Sequence, residues 1–305
     1  MHHFAKPNPN SSRFLSIAIS FVCILVFAYI GYYLEKAPVT GRLRYMNIDP
    51  EVELNLGIDE LHEYIESIRD CILPKGHPMH RMVERIAKEL IKETELQHLH
   101  WEVYVVDDDE ISNAFVMPST NIARNNSIDG KIFVFSGIFS RTSTAEGMAA
   151  LLSHEIGHVI ARHSAESHSW ESLMNTTLYP ITFILGLTFA DEFFQWLATE
   201  IVSASLPISR DQELEADHIG MMLLSKACYD PKEAIEFHKR LGENQDPDAN
   251  MEYLSTHPLA TTRVSKLQQA MPHAKHLWSD SKCDKMWTLR RMFDKATNYR
   301  FSINL

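Results

Sequence analysis

The sequence has few cysteines and no strongly basic segment. Its four cysteines form no CxxC pair, which argues against a cysteine-based zinc knuckle. Cys228 and Cys283 lie in polar sequence, where they either pair in an oxidising compartment or stay as two free thiols. The formal net charge is -11, and the folded part has no run rich in lysine or arginine. Nucleic acid is therefore not expected as a partner.

Charged residues are absent from one long apolar segment near the N-terminus. Residues 14–34 contain none, and a helix of this length, at about 1.5 Å per residue, crosses a hydrocarbon core of about 30 Å. The segment is too long for the core of a signal peptide, and no small-residue cleavage site follows it. The sequence thus predicts a transmembrane anchor in a lipid bilayer. Basic residues flank the anchor on both sides, so the positive-inside rule does not orient it.

The rest of the chain divides around this anchor. Residues 1–13 lack acidic side chains and resemble a presequence, whereas residues 35–48 form a linker. Residues 49–305 are expected to fold as one domain, because 45% hydrophobic and 23% charged residues are typical of folded proteins. Apolar spacing predicts an α+β, mostly helical fold with a small antiparallel sheet. The strand-like segments are residues 101–106, 112–116 and 131–135.

The segment HEIGH at residues 154–158 has the spacing of a metal site. On a helix, His154 and His158 project from one face one turn apart, so both imidazoles can bind one zinc ion at about 2.0–2.1 Å. Glu155 is placed to act as general base on a zinc-activated water. His163 is expected to be a helix-end residue away from the ligand face. Because the chain has 16 histidines, the motif needs support from a third ligand.

That support comes from a second helical segment. Glu213 and Asp217 share one helical face, which predicts Glu213 as the third ligand. Asp217 would accept the free ring N–H of a ligand histidine. Glu215 is expected to be solvated, and an acidic start of a surface helix remains the alternative interpretation. A three-histidine site would need Gly at 161 and His at 164, where the chain has Ala161 and Ser164.

At this point the sequence resembles the HtpX-like, CAAX-prenyl-protease-related zinc peptidases (gluzincins). Within them it is similar to the mitochondrial inner-membrane Oma peptidases, named for activity overlapping with the m-AAA protease. The blocks that carry the resemblance are residues 38–42, 113–118 with 131–137, 152–158 with 161–163, 209–217, and 255–258 with Arg263.

The resemblance implies a zincin-like metalloendopeptidase with one Zn2+ per chain and a single span in the inner membrane. The catalytic domain would face the intermembrane space and cut inner-membrane proteins, including a dynamin-like fusion GTPase. His257 would lie near the metal and stabilise the oxyanion, with Arg263 supporting its loop. Asn113 and Ala114 would pair with an extended substrate by strand addition. The oligomeric state is not fixed, and a homo-oligomer is compatible with the sequence.

Two other functions stay open from the residues alone. A prenyl-protein-type zinc peptidase of the secretory pathway would need several spans, whereas this chain has one convincing candidate. A non-catalytic membrane scaffold with a structural zinc would lack Glu155 or close the coordination site. The chain also departs from its relatives at residues 119–130, which insert about a dozen residues into a turn. The insertion either lengthens a hairpin or alters substrate access.

Overall fold

The computed structural model describes residues 9–55, 58–121, 127–142, 144–181, 205–243, 253, 257 and 261–281. The described elements are mostly helices, as predicted, with two small sheets. The helices are α1 (Pro9–Tyr32), α2 (Pro50–Asn55), α3 (Ile58–Ser67), α4 (Pro78–Ile91), α5 (Phe139–Thr142), α6 (Ala145–Ala161), α7 (His163–Leu173), α8 (Ser205–Lys226), α9 (Lys232–Glu243) and α10 (Thr261–Asp280). The strands are β1 (Leu34–Lys36), β2 (Leu43–Tyr45), β3 (His100–Val106), β4 (Ala114–Asn121) and β5 (Ser127–Phe135).

The N-terminal helix α1 covers most of the predicted anchor at residues 14–34. It ends at Tyr32, two residues earlier than predicted, because Leu34 begins β1. Several of its large apolar side chains are exposed, with Ile24 at 63% and Phe27 at 75%. Among the residues that the structure describes, no helix is both long enough and apolar enough to cross a membrane.

The linker after α1 folds back on itself as a two-stranded antiparallel sheet. β1 pairs with β2, and Gly41 in the turn between them has a φ of +71°, a conformation that glycine adopts without strain. Tyr33, directly after α1, contacts Tyr45 of β2, whose ring in turn contacts Trp170 of α7. The aromatic contacts therefore hold the linker against the helical domain.

The larger sheet has three strands in the order β3-β5-β4. β4 is antiparallel to β5, as predicted, but β3 runs parallel to β5. The prediction of a purely antiparallel sheet was therefore wrong for one of the two pairs. Alternation of apolar and polar residues has the same period in both arrangements, so the sequence pattern does not distinguish them.

The inserted segment at residues 119–130 lengthens the β4–β5 hairpin. Its described residues continue the antiparallel ladder as far as the pair Asn121 and Ser127. This is one of the two outcomes predicted for the insertion. Residues 122–126 lie outside the described part of the chain.

Helix α6 occupies the centre of the domain, where it packs against α4, α8, α9 and β4. It begins after Thr144, whose hydroxyl accepts a hydrogen bond from the Gly147 amide. It ends at Ala161, and the next residue, Arg162, adopts a left-handed conformation with φ 56° and ψ 43°. The chain therefore turns sharply after α6, and α7 starts at His163 in a new direction.

The structure decides between the two states considered for Cys228, a disulfide and a free thiol. Cys228 is disulfide-bonded, so it is not a free thiol. Cys23 and Cys71 are free and exposed. Cys283, the partner considered from the sequence, lies outside the described residues.

Candidate metal centre

The crossing of α6 and α8 brings the predicted zinc ligands together. Nε2 of His154 lies 3.1 Å from Nε2 of His158. The Glu213 carboxylate of α8 lies 3.5 Å from Nε2 of His154 and 3.4 Å from Nε2 of His158. The side chains of His154 and Glu213 are buried, whereas that of His158 is 19% exposed. The cluster is thus largely buried, and His158 is its most exposed member.

The spacing of these atoms fits a tetrahedral zinc ion. Bonds of about 2.0–2.1 Å at the tetrahedral angle separate neighbouring donor atoms by about 3.3 Å. The 3.1 Å between the two imidazole nitrogens is close to that value. Each carboxylate oxygen of Glu213 lies a similar distance from one of them, with Oε2 3.5 Å from His154 and Oε1 3.4 Å from His158. Two imidazole nitrogens and one carboxylate also form a donor set that catalytic zinc sites use. The residues present therefore fit the ion.

Two close helix contacts make this geometry attainable. A Cβ atom added to Gly220 of α8 would lie 2.9 Å from the backbone nitrogen of His154, and one added to Gly157 of α6 would lie 2.9 Å from the Ala216 carbonyl oxygen. Both distances are shorter than packed carbon atoms accept. Glycine at these two positions lets the backbones approach until side chains of both helices reach one point.

We expect Gly220→Ala to destabilise the protein by about 1–3 kcal/mol, because the added methyl group would push α8 away from the His154 backbone. Urea unfolding of the purified protein measures the change. Gly76→Ala is the matched control, since a Cβ atom there meets nothing within 4 Å. Equal stability of both variants would contradict the close-contact explanation.

Asp217 lies behind the first histidine, where the sequence predicted it. Its Oδ1 is 3.0 Å from Nδ1 of His154 and 3.2 Å from Nε2 of His238, a residue of α9 that sequence reasoning missed. Arg263 of α10 donates two hydrogen bonds to the Asp217 carboxylate, at 2.7 and 2.8 Å. Such contacts fix the orientation of the imidazole ring.

Arg263 also reaches the predicted ligand Glu213, at 2.8 Å from Nη1 to Oε2. Sequence reasoning expected it to support the loop of His257. Its side chain bridges two carboxylates of α8, so it holds the metal-facing side of that helix. Residues 258–260 of the loop lie outside the described part of the chain, so support of that loop stays a prediction.

His257 lies beside the donor set. Its Nδ1 is 2.9 Å from Oε1 of Glu213 and 3.4 Å from Nε2 of His154, and its Nε2 is 3.7 Å from Oε1 of Glu155. The Tyr253 ring stacks on the His257 ring with centroids 4.6 Å apart. Tyr253 is a further residue that sequence reasoning missed, because nothing in its sequence context marks it.

The two residues predicted to pair with substrate lie at the start of β4. Asn113 precedes the strand and accepts a hydrogen bond from the Ala114 amide at 2.8 Å. Both residues are buried. The Tyr253 amide donates to the Ser112 carbonyl at 3.2 Å. The start of β4 is therefore adjacent to the segment that presents Tyr253.

The two carboxylates of the cluster are ionised, whereas His154 favours its protonated form. Burial lowers the pKa of His154, but hydrogen bonds with Asp217 and Glu213 outweigh burial and raise it to about 10, so a zinc ion would have to displace this proton. Burial alone would raise the pKa of Glu213, but hydrogen bonds from His154 and His257 outweigh burial and hold it well below its usual range. Burial also opposes ionisation of Asp217, yet the charges of His238 and Arg263 keep its pKa well below its usual value. Metal binding requires carboxylate ligands in this ionised form.

The pKa values of His158 and Glu155 are shifted mainly by burial. Burial lowers the pKa of His158 well below its usual value, so the ring is neutral as a metal ligand must be. Burial raises the pKa of Glu155, which makes its carboxylate a stronger base than an exposed glutamate.

Two expectations from the sequence were wrong. Glu215 is buried rather than solvated, and it contacts His163 at 3.1 Å. His163 is not remote from the ligand face, since its Nδ1 lies 2.8 Å from Nδ1 of His158. The left-handed residue Arg162 explains the second error, because it ends the helical periodicity on which the expectation was based.

An HExxH helix crossed by a helix with ExxxD, beside a short sheet, is typical of zinc metallopeptidases with a glutamate ligand. The model of peptidase family M48 matches residues 79–271, and the chain belongs to this family. The predicted resemblance to the Oma peptidases is confirmed by curated relatives. Mitochondrial metalloendopeptidase OMA1 of Saccharomyces cerevisiae is 31% identical over 281 residues, which cover 86% of this chain and 76% of the relative.

Other relatives agree with this assignment. Mitochondrial metalloendopeptidase OMA1 of Schizosaccharomyces pombe is 31% identical over 95% of this chain and 82% of its own length. Mitochondrial metalloendopeptidase OMA1 of Bos taurus is 27% identical over 88% of this chain and 52% of its own length. The chain is therefore a zinc-dependent metalloendopeptidase, and it is assigned to the mitochondrion.

Proposed function

We propose that this peptidase is anchored in the mitochondrial inner membrane by one span and cuts membrane proteins, with Glu155 as general base. The observation that carries the catalytic part is the position of Glu155. It follows the ligand His154 directly on α6, is buried, and has its carboxylate 3.7 Å from His257. It is thus next to a predicted metal ligand in the chain and close to the imidazole of His257.

His154, His158 and Glu213 would hold the ion. Zinc, when bound, polarises the scissile carbonyl and lowers the pKa of a water molecule. Glu155 accepts a proton from the attacking water and then donates it to the leaving amine. Asp217 keeps the His154 ring in place by accepting its Nδ1–H. Burial of these side chains strengthens their interactions, because little water competes for them.

His257 acts on the substrate rather than as a fourth ligand. Its Nδ1 is engaged by Glu213, which leaves Nε2 directed towards the Glu155 side of the pocket. From there the imidazole stabilises the oxyanion that develops during attack. The stacked Tyr253 ring restricts its orientation.

We expect His257→Gln to lower kcat by about 10²-fold while zinc affinity stays within about twofold, because one oxyanion-stabilising group is lost. Peptide hydrolysis and a chelator competition assay measure the two quantities. The control is His80→Gln, which removes a buried histidine that bonds Val103 away from the site. Loss of zinc from the His257 variant would instead identify a fourth ligand and a structural metal site.

The substrate would bind along the edge strand β4. In the order β3-β5-β4, this strand has a free edge among the described strands. Its first residue, Ala114, and Asn113 directly before it lie beside the segment that presents Tyr253 and His257. An extended peptide that adds to this edge would be held by main-chain hydrogen bonds and bring one peptide bond towards Glu155.

The membrane part of the proposal is supported by the N-terminal segment. Residues 14–34 carry no charge, and α1 exposes apolar side chains of a kind that a bilayer would cover. The catalytic domain would face the intermembrane space. Its substrates would be inner-membrane proteins, including a dynamin-like fusion GTPase, and self-association into a homo-oligomer is compatible with this arrangement.

The test compares mitochondria that contain the wild-type chain, the Glu155→Gln variant, or a variant without residues 9–34. We expect alkaline carbonate to leave the first two in the membrane fraction and to release the third. Inner-membrane protein fragments should appear only with the wild-type chain. Carbonate release of the wild-type chain would contradict the anchor, whereas the same fragments with Glu155→Gln would contradict the catalytic role.

A further inference from the structure

A second cluster of buried polar side chains lies behind the metal centre. It consists of His163 and Glu166 of α7 with Glu215 of α8, and all three are buried. A guanidinium group occupies its centre. Arg42, in the linker that follows α1, donates to both oxygens of Glu166 at 2.7 and 2.6 Å. It also donates to Oε2 of Glu215 from Nε and Nη2, at 2.8 and 2.7 Å.

The linker is joined to Glu215 by a second side chain. The Thr40 hydroxyl donates to Oε1 of Glu215, so both oxygens of this carboxylate are engaged by the linker. Gly41 lies between Thr40 and Arg42 with a φ of +71°, which directs both side chains to the same carboxylate. The turn at residues 38–42 thus binds the buried Glu215 carboxylate, which lies on α8, the helix that also carries Glu213.

Glu215 connects this turn to a zinc ligand. Its Oε2 lies 3.1 Å from Nε2 of His163, and Nδ1 of His163 lies 2.8 Å from Nδ1 of His158. If His158 binds zinc through Nε2, its Nδ1 carries the proton and donates it to Nδ1 of His163. His163 then carries its own proton on Nε2 and donates to Glu215. A metal ion on Nε2 of His158 would thus set the donor in both hydrogen bonds, from His158 to His163 and from His163 to Glu215. Arg42 holds the acceptor at the far end, the Glu215 carboxylate.

We propose that Arg42 is a positioning residue for the metal centre, acting through Glu215 and His163 on the zinc ligand His158. The linker after the N-terminal helix is then part of the zinc site rather than a passive tether. Ligand histidines are commonly oriented by a group that accepts the proton of the other ring nitrogen, and loss of such a group lowers metal affinity about 10–100-fold. Here that orienting group is itself held by a residue outside the folded helices.

Because coupling between two sites is reciprocal, zinc binding should also order the linker. Release of Arg42 would leave Glu166 and Glu215 buried without their shared cation, which is costly. Any displacement of α1 that pulls the turn at residues 38–42 away from α7 and α8 therefore weakens zinc binding. The inference rests on the proposal that His158 is a ligand.

The test measures zinc affinity of the full-length protein by competition with a chromogenic chelator. We expect His163→Phe, which keeps a ring but cannot accept from His158, to lower the affinity about 10–100-fold. Arg42→Lys should lower it as well, because lysine keeps the charge but not the forked contact with both carboxylates. The zinc affinity of the double variant should be no lower than that of the weaker-binding single variant, because both residues act through the same series of contacts to His158.

Glu66→Gln is the control, because it breaks an exposed ion pair with Arg69 that contacts neither Glu166 nor Glu215. It should leave zinc affinity unchanged. Glu215→Gln replaces Arg42→Lys if the lysine variant does not fold. A further readout is amide hydrogen exchange in residues 40–46, which should slow on addition of zinc to the wild-type protein and not to His163→Phe.

Unchanged zinc affinity in His163→Phe would overturn the inference, as would losses that multiply in the double variant. His158→Ala separates this failure from failure of the ligand assignment. If His158→Ala also binds zinc normally, the assignment of the ligand is wrong. If only His158→Ala loses zinc, the ligand is correct and the connection to Arg42 is absent.

Discussion

Replacing Glu155 with glutamine is expected to lower kcat for peptide hydrolysis by about 10²–10⁴-fold, the range that general acid–base groups contribute. Glutamine has the shape of glutamate but cannot accept the proton of the attacking water. The side chain is buried next to His154 and does not belong to the donor set of His154, His158 and Glu213. Zinc content and thermal stability should therefore stay close to those of the wild-type protein.

The experiment uses a casein-like or quenched fluorescent peptide substrate with purified full-length protein. Glu110→Gln, an exposed acid outside the pocket, serves as the control and should keep full activity. A Glu155→Gln variant that cleaves at the wild-type rate with its zinc in place would exclude the general-base role.

Removal of the proposed carboxylate ligand, Glu213, is expected to have the second large effect. Glu213→Gln should lower zinc affinity by more than about 100-fold. Loss of a residue that only hydrogen-bonds to a metal ligand lowers affinity about 10–100-fold, and loss of a ligand itself should cost more. The reason is that the Glu213 charge faces both imidazoles of the donor set, at 3.5 and 3.4 Å. Activity should fall in parallel with zinc content.

Metal analysis and chelator competition measure this effect. Glu233→Gln is a suitable control, because Glu233 pairs with Arg240 away from the donor set. The control should bind zinc normally. Normal zinc content in Glu213→Gln would show that another residue, with His257 the nearest, supplies the third ligand.

Short-range periodicity explains why the centre of the site was predictable. The spacing of four between His154 and His158, and between Glu213 and Asp217, places each pair on one helical face whatever surrounds it. Both pairs fall inside single helices, α6 and α8. The chemical preference of zinc for imidazole and carboxylate then joins the two pairs.

The surroundings of the site depend on contacts that periodicity does not encode. Arg42 and Glu215 are 173 residues apart in the chain, and each is an ordinary charged residue in its own segment. His163 contacts His158 only because Arg162 breaks the helix in a left-handed conformation. The parallel pairing of β3 with β5 likewise follows from the path of the chain and not from the strand pattern.

The most direct test of the metal centre is reconstitution of the purified full-length protein. We predict that a chelator abolishes peptide hydrolysis, and that activity returns in proportion to added zinc until one ion is bound per chain. His154→Ala should not recover under the same conditions. Activity that survives complete removal of zinc would contradict the assignment of this site as the catalytic centre.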